Sequence, residues 1–309
     1  MMIAALLLLV ILALLGGLYG YKVAFYAAKQ DKEKGPPKLE GTPYEPYREE
    51  VTRLYRQLRD RQCEFVTVQS HDGLTLSGRY YHIADGAPLD IGFHGYRSSC
   101  FVDFAGGCEM SFRMGHNLLL VDQRAHGKSE GHTICFGIRE RLDVLSWLDY
   151  ALERFGSDTD ILLYGVSMGA ATVLMASGLP LRSNVRGIVA DCPYSVPMDI
   201  ILHVGKSNPL PQWLIKPFIF IGAVVFGGFD LRETDALRAV KDTRVPILIL
   251  HGEADGFVPP EMSAAVQEAN PAMVARHTFP GAGHALSYLT DPQRYQNLVR
   301  AFICRVLEA

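Results

Sequence analysis

Gly165-Val166-Ser167-Met168-Gly169 sets one hydroxyl between glycines two residues before and two after it. A serine hydroxyl is a poor nucleophile at neutral pH. It needs a base within hydrogen-bond reach, and the base needs an acid that fixes its tautomer. Both come later in the chain, in that fold-compatible order: Gly252-Glu253-Ala254-Asp255-Gly256 carries two carboxylates, and Gly281-Ala282-Gly283-His284 ends on an imidazole. The spacing assigns Ser167 as nucleophile, His284 as general base and Asp255 as the orienting acid, with Asp191 and Glu253 as the other carboxylates that can hold that place. The chemistry is acyl transfer through a covalent intermediate.

Such an intermediate carries an oxyanion, which needs two preorganised donors. One is the backbone N–H of Met168, at the start of the helix that must come after the serine, where the helix dipole also helps. The other is the N–H of Tyr96 in His94-Gly95-Tyr96-Arg97-Ser98-Ser99. The stretch Asp122-Gln123-Arg124-Ala125-His126-Gly127-Lys128-Ser129 is dense in hydrogen-bonding side chains and reads as a brace beneath the site, with neither Arg124 nor His126 reacting.

These residues work only if strands and helices hold them. A hairpin is expected from alternating runs at 64–69 and 74–80 across Asp72-Gly73. Short apolar strands at 89–93, 118–121, 161–164, 185–190, 247–251 and 277–279 then alternate with helical patterns, the signature of parallel βαβ units. Ile138, Leu142, Leu145, Leu148, Leu152 and Phe155 repeat at helical spacing before Gly156. Tyr295, Leu298, Val299, Phe302 and Val306 do so in a final helix. The segment 194–230 is too long, apolar and aromatic for an ordinary connection and reads as an inserted cap.

Residues 1–21 contain no charged side chain and match the length of a bilayer's apolar core, with Tyr19 and Tyr21 at an interface. No Lys or Arg precedes the run and no clean A-x-A site comes after it, which favours a retained single-pass anchor over a cleaved signal peptide. Lys22, Lys29, Lys32 and Lys34 flank it on the carboxyl side. Positive-inside logic keeps them cytoplasmic, while many amino-terminal anchors export the domain attached to them, so the side of the membrane stays open. Residues 22–62, with Gly35-Pro36-Pro37, Thr42-Pro43 and Glu45-Pro46, read as a semi-extended tether, and 63–309 as the catalytic domain.

The 30 Lys and Arg nearly balance the 33 Asp and Glu, with no basic run to track a phosphate backbone, so nucleic acid is not an expected partner. None of the ten histidines sits in an H-E-x-x-H pair, the six cysteines lack zinc spacing, and no G-x-G-x-x-G opens a helix after a strand. No metal and no cofactor are expected. The cysteine count permits disulfides without requiring them.

With these loops in place, the sequence from about Glu64 to its end resembles the α/β-hydrolase superfamily. Asp122-Gln123-Arg124-Ala125-His126-Gly127-Lys128-Ser129 and Ala190-Asp191-Cys192-Pro193-Tyr194-Ser195 resemble the membrane-anchored hydrolases of its serine aminopeptidase-like, monoglyceride-lipase-like and Bem46-like branches. The resemblance implies an α/β fold: a mostly parallel twisted sheet opening on an antiparallel hairpin, helices on both faces, a cap over the site, and the triad Ser167, Asp255 and His284. The serine separates the chain from the dehalogenases and epoxide hydrolases of this fold, whose nucleophile is an aspartate. The expected reaction is hydrolysis of a small-molecule acyl substrate, a lipid-like carboxylic ester or thioester. Peptidase or acyltransferase chemistry on the same triad, and a non-catalytic membrane scaffold, are the alternatives.

Overall fold

The computed structural model describes residues 2–28, 39–207 and 209–308. The flanking lysines 29, 32 and 34 and the Gly35-Pro36-Pro37 part of the expected tether lie outside the described residues. One eight-stranded sheet runs through the molecule in the order β1-β2-β4-β3-β5-β6-β7-β8. The strands are β1 (Glu64–Gln69), β2 (Thr75–Tyr81), β3 (Leu89–Phe93), β4 (Asn117–Asp122), β5 (Ile161–Val166), β6 (Val185–Asp191), β7 (Ile247–Gly252) and β8 (Val274–Phe279). β1 and β2 form the expected hairpin, with Gln69 opposite Thr75. β2 also pairs antiparallel with β4, and every later pairing is parallel.

β3 lies between β4 and β5, so the chain leaves it in one direction and returns on the other side. Such a reversal opens a crevice beyond the carboxyl ends of the strands, where ligands bind in open α/β sheets. The loops after β3 and β5, which carry Tyr96 and Ser167, therefore meet.

The central strands read as unbroken apolar runs because both faces are covered. Ile91, Leu119, Val121, Leu163 and Ile188 pack on one side with Val144, Trp147 and Leu148 of the helix Glu140–Phe155 and with the helix Met168–Ala176. Leu162, Val189, Leu248 and Leu250 pack on the other with Val299, Phe302 and Ile303 of the final helix Pro292–Leu307. The helix expected from Ile138 begins at Glu140. The buried Glu140 carboxylate accepts from the backbone N–H groups of Cys135 (2.7 Å) and Gly137 (2.9 Å), holding the chain in a turn just before it.

Part of the segment read as a tether is ordered differently. Arg48–Arg59 is a helix with Val51, Leu54, Tyr55 and Leu58 buried, one apolar stripe at helical spacing docked on the domain. The proline-rich residues on its amino side point toward an extended chain, but the stripe begins after the last of them. All six cysteines carry free thiols.

The amino-terminal apolar run is a helix, Met2–Ala24, long and apolar enough to cross a membrane and only 6% buried over its most apolar window. It continues into the domain. Tyr26 bridges Thr133, the Ala27 N–H donates to His132 O (2.9 Å), and Phe25 is fully buried edge-on to Phe136 and Phe229. Between β6 and β7 the chain makes the helices Pro197–Val204 and Gln212–Ile221 and a wide turn over Gly222–Phe226. The amino-terminal helix lies against the second of these. A Cβ on Gly17 would sit 2.3 Å from the Ile221 side chain, and one on Gly20 would sit 3.0 Å from Phe218 O, so the contact needs glycine on that face.

Candidate active site

Ser167 stands between β5 and the helix Met168–Ala176 with φ +55° and ψ −113°, a conformation that costs an L-residue energy and persists only when its surroundings over-determine it. Two close approaches do this. A Cβ on Gly165 would fall 2.3 Å from Gly169 O, and one on Gly169 would fall 1.8 Å from Phe93 O. The glycines flanking the serine are thus demanded by backbone packed on backbone. Arg97, Cys192 and Ala285, on the neighbouring loops, also have positive φ.

The three residues expected to react are brought together. Ser167 Oγ lies 3.0 Å from His284 Nε2, and His284 Nδ1 lies 2.7 Å from Asp255 Oδ2. An ionised carboxylate only accepts, so Nδ1 carries the proton and Nε2 is left to accept from the serine hydroxyl. The Phe257 ring packs 4.8 Å from the imidazole. Asp255 also accepts from the backbone N–H of Phe257 (2.9 Å) and Val258 (2.8 Å) at Oδ1, and from His251 Nε2 (3.2 Å) at Oδ2. Burial works to raise this carboxyl, but the hydrogen bonds from His251 and His284 outweigh it and hold the group well below the usual carboxylate range.

His251, fully buried at the end of β7, was not anticipated. The available signal was its place at a strand end four residues before the acid. The other two carboxylates stand elsewhere: Glu253 accepts from the Thr278 hydroxyl (2.6 Å) at the surface, and Asp191 is buried at the end of β6. Burial pushes the Asp191 carboxyl up to about 7, partly offset by a hydrogen bond from Tyr295. A raised acid holds a proton in the fold that the unfolded chain has already released. Its contribution to stability is therefore complete below the unfolded value near 4 and is lost as pH rises through about 7. Asp191→Asn should remove that dependence: its melting temperature relative to the parent should rise between pH 5 and pH 8, and a constant difference would mean the carboxylate is already ionised in the fold.

The loop after β3 is held from beneath. His126 Nδ1 donates to Arg124 O (2.9 Å), which leaves Nε2 to accept the Arg97 N–H (3.0 Å). Gln123 donates to His94 O, and Asp103 accepts from the Gly95 N–H (2.6 Å) and the Ser98 hydroxyl (2.6 Å). Arg124 is buried between Asp143 (two contacts of 2.6 Å) and Asp72. Arg124 and His126 thus brace the loop, and Asp103 is a further support that sequence reasoning missed. Among the described residues, the N–H groups of Tyr96 and Met168 have no partner, as an oxyanion pocket requires.

Ser167 faces a cavity of about 660 Å³ with mostly apolar walls, a size that suits a small-molecule ligand. Met168, Phe136 and Tyr194 line its buried end, Ile215 and Ile219 one side, and Gly16, Gly20 and Val23 of the amino-terminal helix another.

The profile of the alpha/beta hydrolase family matches residues 91–297. Among curated proteins the chain is similar to YqkD of Bacillus subtilis, 26% identical over 62% of this chain and 63% of that one. It is similar to bem46 of Schizosaccharomyces pombe, 26% identical over 57% of this chain and 54% of that protein. A thiohydrolase, aneE of Aspergillus aculeatus, is 30% identical over 43% of this chain and 41% of its own length. The chain thus spans less than two thirds of these relatives. Among solved structures it shares its fold with the esterase Pf2001 of Pyrococcus furiosus, with a TM-score of 0.66 at 23% identity over 88% of this chain and 97% of that one. Est1E of Butyrivibrio proteoclasticus, solved with ferulic acid bound, superposes with a TM-score of 0.62 at 20% identity over 79% of this chain and all of that one. The match to the family profile covers the sheet from β3 onward, the strained serine turn and the Asp255 and His284 loops, and the chain belongs to the alpha/beta hydrolase family, with its likeness on the Bem46 side.

Proposed function

We propose that the protein is a membrane-anchored serine hydrolase that cleaves a carboxylic ester with an apolar acyl group. The observation that carries this reading is the hydrogen-bonded line Ser167–His284–Asp255 at the end of an apolar cavity. His284 takes the Ser167 proton as Oγ attacks the acyl carbonyl, and the N–H groups of Tyr96 and Met168 receive the oxyanion. His284 then protonates the leaving alkoxide as the carbon–oxygen bond breaks. Water, deprotonated by the same imidazole, releases the acid and regenerates the serine. The esterases that share the fold and the similarity to a thiohydrolase support an ester and a thioester as acyl donors.

The helix Met2–Ala24 is the anchor. Its 23 residues span about 35 Å, enough for an apolar core of about 30 Å. The residues just after it, Phe25, Tyr26 and Ala27, are bound to the domain, which supports retention over removal as a leader.

A fluorophosphonate probe, which reports an activated serine without the natural substrate, should label the detergent-solubilised protein and fail to label Ser167→Ala. A folded wild type that stays unlabelled would overturn the reading.

A further inference from the structure

The amino-terminal helix does more than its length requires of an anchor. Tyr96, whose N–H is one of the two proposed oxyanion donors, donates its hydroxyl to Ala24 O (2.8 Å). Arg97 donates to the carbonyls of Val23 (2.9 Å) and Tyr26 (3.1 Å). The end of the helix is thereby tied to the loop that supplies an oxyanion donor. Along the same helix, Gly16, Gly20 and Val23 face the cavity that ends at Ser167.

The burial gradient along that cavity gives it a direction. Ser167 and Tyr194, at one end, are 7% and 2% exposed. Tyr19, Val23 and Leu210, at the other, are 68%, 53% and 52% exposed. The rim is therefore apolar and built jointly by the amino-terminal helix and the insertion between β6 and β7. The insertion also shows Trp213 (75% exposed) and Val225 (56%), on elements packed against the amino-terminal helix with its exposed leucines. Apolar groups left bare at this scale mark a surface that meets protein or lipid. Here they continue the surface of the one helix, among the described residues, long enough to span a bilayer, which selects lipid.

We propose that the amino-terminal helix is a wall of the acyl-binding site, and that the acyl donor is a long-chain ester that enters the cavity from the same bilayer at the exposed rim formed by Tyr19, Val23 and Leu210. The inference rests on the hydrolase reading above and names its substrate class. An acyl chain entering this way exchanges lipid for an apolar cavity and never crosses water, while the ester reaches Ser167 at the buried end. A glycine-faced helix suits this role, since the missing side chains let the two helices touch at Gly16, Gly17 and Gly20, against Phe218 and Ile221, while the cavity opens beside Val23.

The test compares p-nitrophenyl palmitate with p-nitrophenyl acetate on protein in phosphatidylcholine vesicles. Val23→Trp, which fills the cavity, should lower the palmitate-to-acetate ratio of kcat/KM at least tenfold. Val23→Ala, which disturbs the fold less, should raise it or shift the optimum to longer chains. Leu8→Trp, on a turn that does not line the cavity, should leave the ratio unchanged. In a second arm, a long-chain ester placed in the enzyme's own vesicles should be cleaved and the same ester in separate vesicles spared. An unchanged ratio in both Val23 variants, each still labelled by the fluorophosphonate, would overturn the wall. Equal cleavage in shared and separate vesicles would overturn entry from the bilayer. A wild type with neither label nor turnover would instead remove the hydrolase reading, and this inference with it.

Discussion

Ser167→Ala and His284→Ala should each lower ester turnover by about 10⁴–10⁶-fold, and the double variant should lose no more than the worse of the two. The geometry demands this non-additivity. Ser167 Oγ and His284 Nε2 stand 3.0 Å apart, and in the proposed step the hydroxyl gives its proton across that distance, so each group would be useful only while the other is present. Once one is gone, the residual rate comes from the N–H groups of Tyr96 and Met168 and from binding, which neither substitution touches. A stopped assay on an acyl ester with both single variants and the double, each checked for a native melting temperature, decides it. Losses that multiply would mean that the serine and histidine act independently and that no acyl-enzyme forms on Ser167.

The features legible in the sequence and those hidden in it differ by whether a residue pattern marks the contact. The serine turn is a local requirement: glycines at 165 and 169 keep a backbone crossing open, so the pattern is written within five residues. Asp255 and His284 come after strand ends, and strands buried on both faces announce themselves as apolar runs. His251 and Asp103 meet partners only four to eight residues away, but no residue pattern marks either pair, and nothing around a buried histidine in a strand says that its ring will turn to the next carboxylate. The helix Arg48–Arg59 was hidden by composition: prolines just before it suggest an extended chain, while four buried residues at helical spacing carry the opposite message. The amino-terminal helix was legible as apolar and long. Its glycine face was not legible as a packing surface, because small residues reveal a contact only when the partner helix is known.

Asp255→Asn should keep the fold and lower turnover by about 10³–10⁴-fold. Asp255 accepts at both oxygens, from the N–H groups of Phe257 and Val258 at Oδ1 and from His251 and His284 at Oδ2. Asparagine offers a single acceptor oxygen. The backbone donors are fixed on their loop and cannot reverse, so the amide oxygen should stay with them and the NH₂ should turn toward the histidines. An imidazole can reverse its role by moving its proton, and His284 should do so: Nδ1 becomes an acceptor and Nε2 carries the hydrogen. In that tautomer it can no longer take the proton of Ser167, although every heavy atom keeps its place. The loss should therefore fall on kcat, with binding of the acyl group largely retained, and Asp191→Asn should leave turnover within a few-fold of the parent. Removing the charge also removes an acid held low in the fold. The stability that Asp255 contributes is present above the unfolded value near 4 and disappears as pH falls below it, so the variant should resist acid more evenly than the parent. Full turnover in Asp255→Asn, or a comparable loss in Asp191→Asn, would move the orienting role off Asp255.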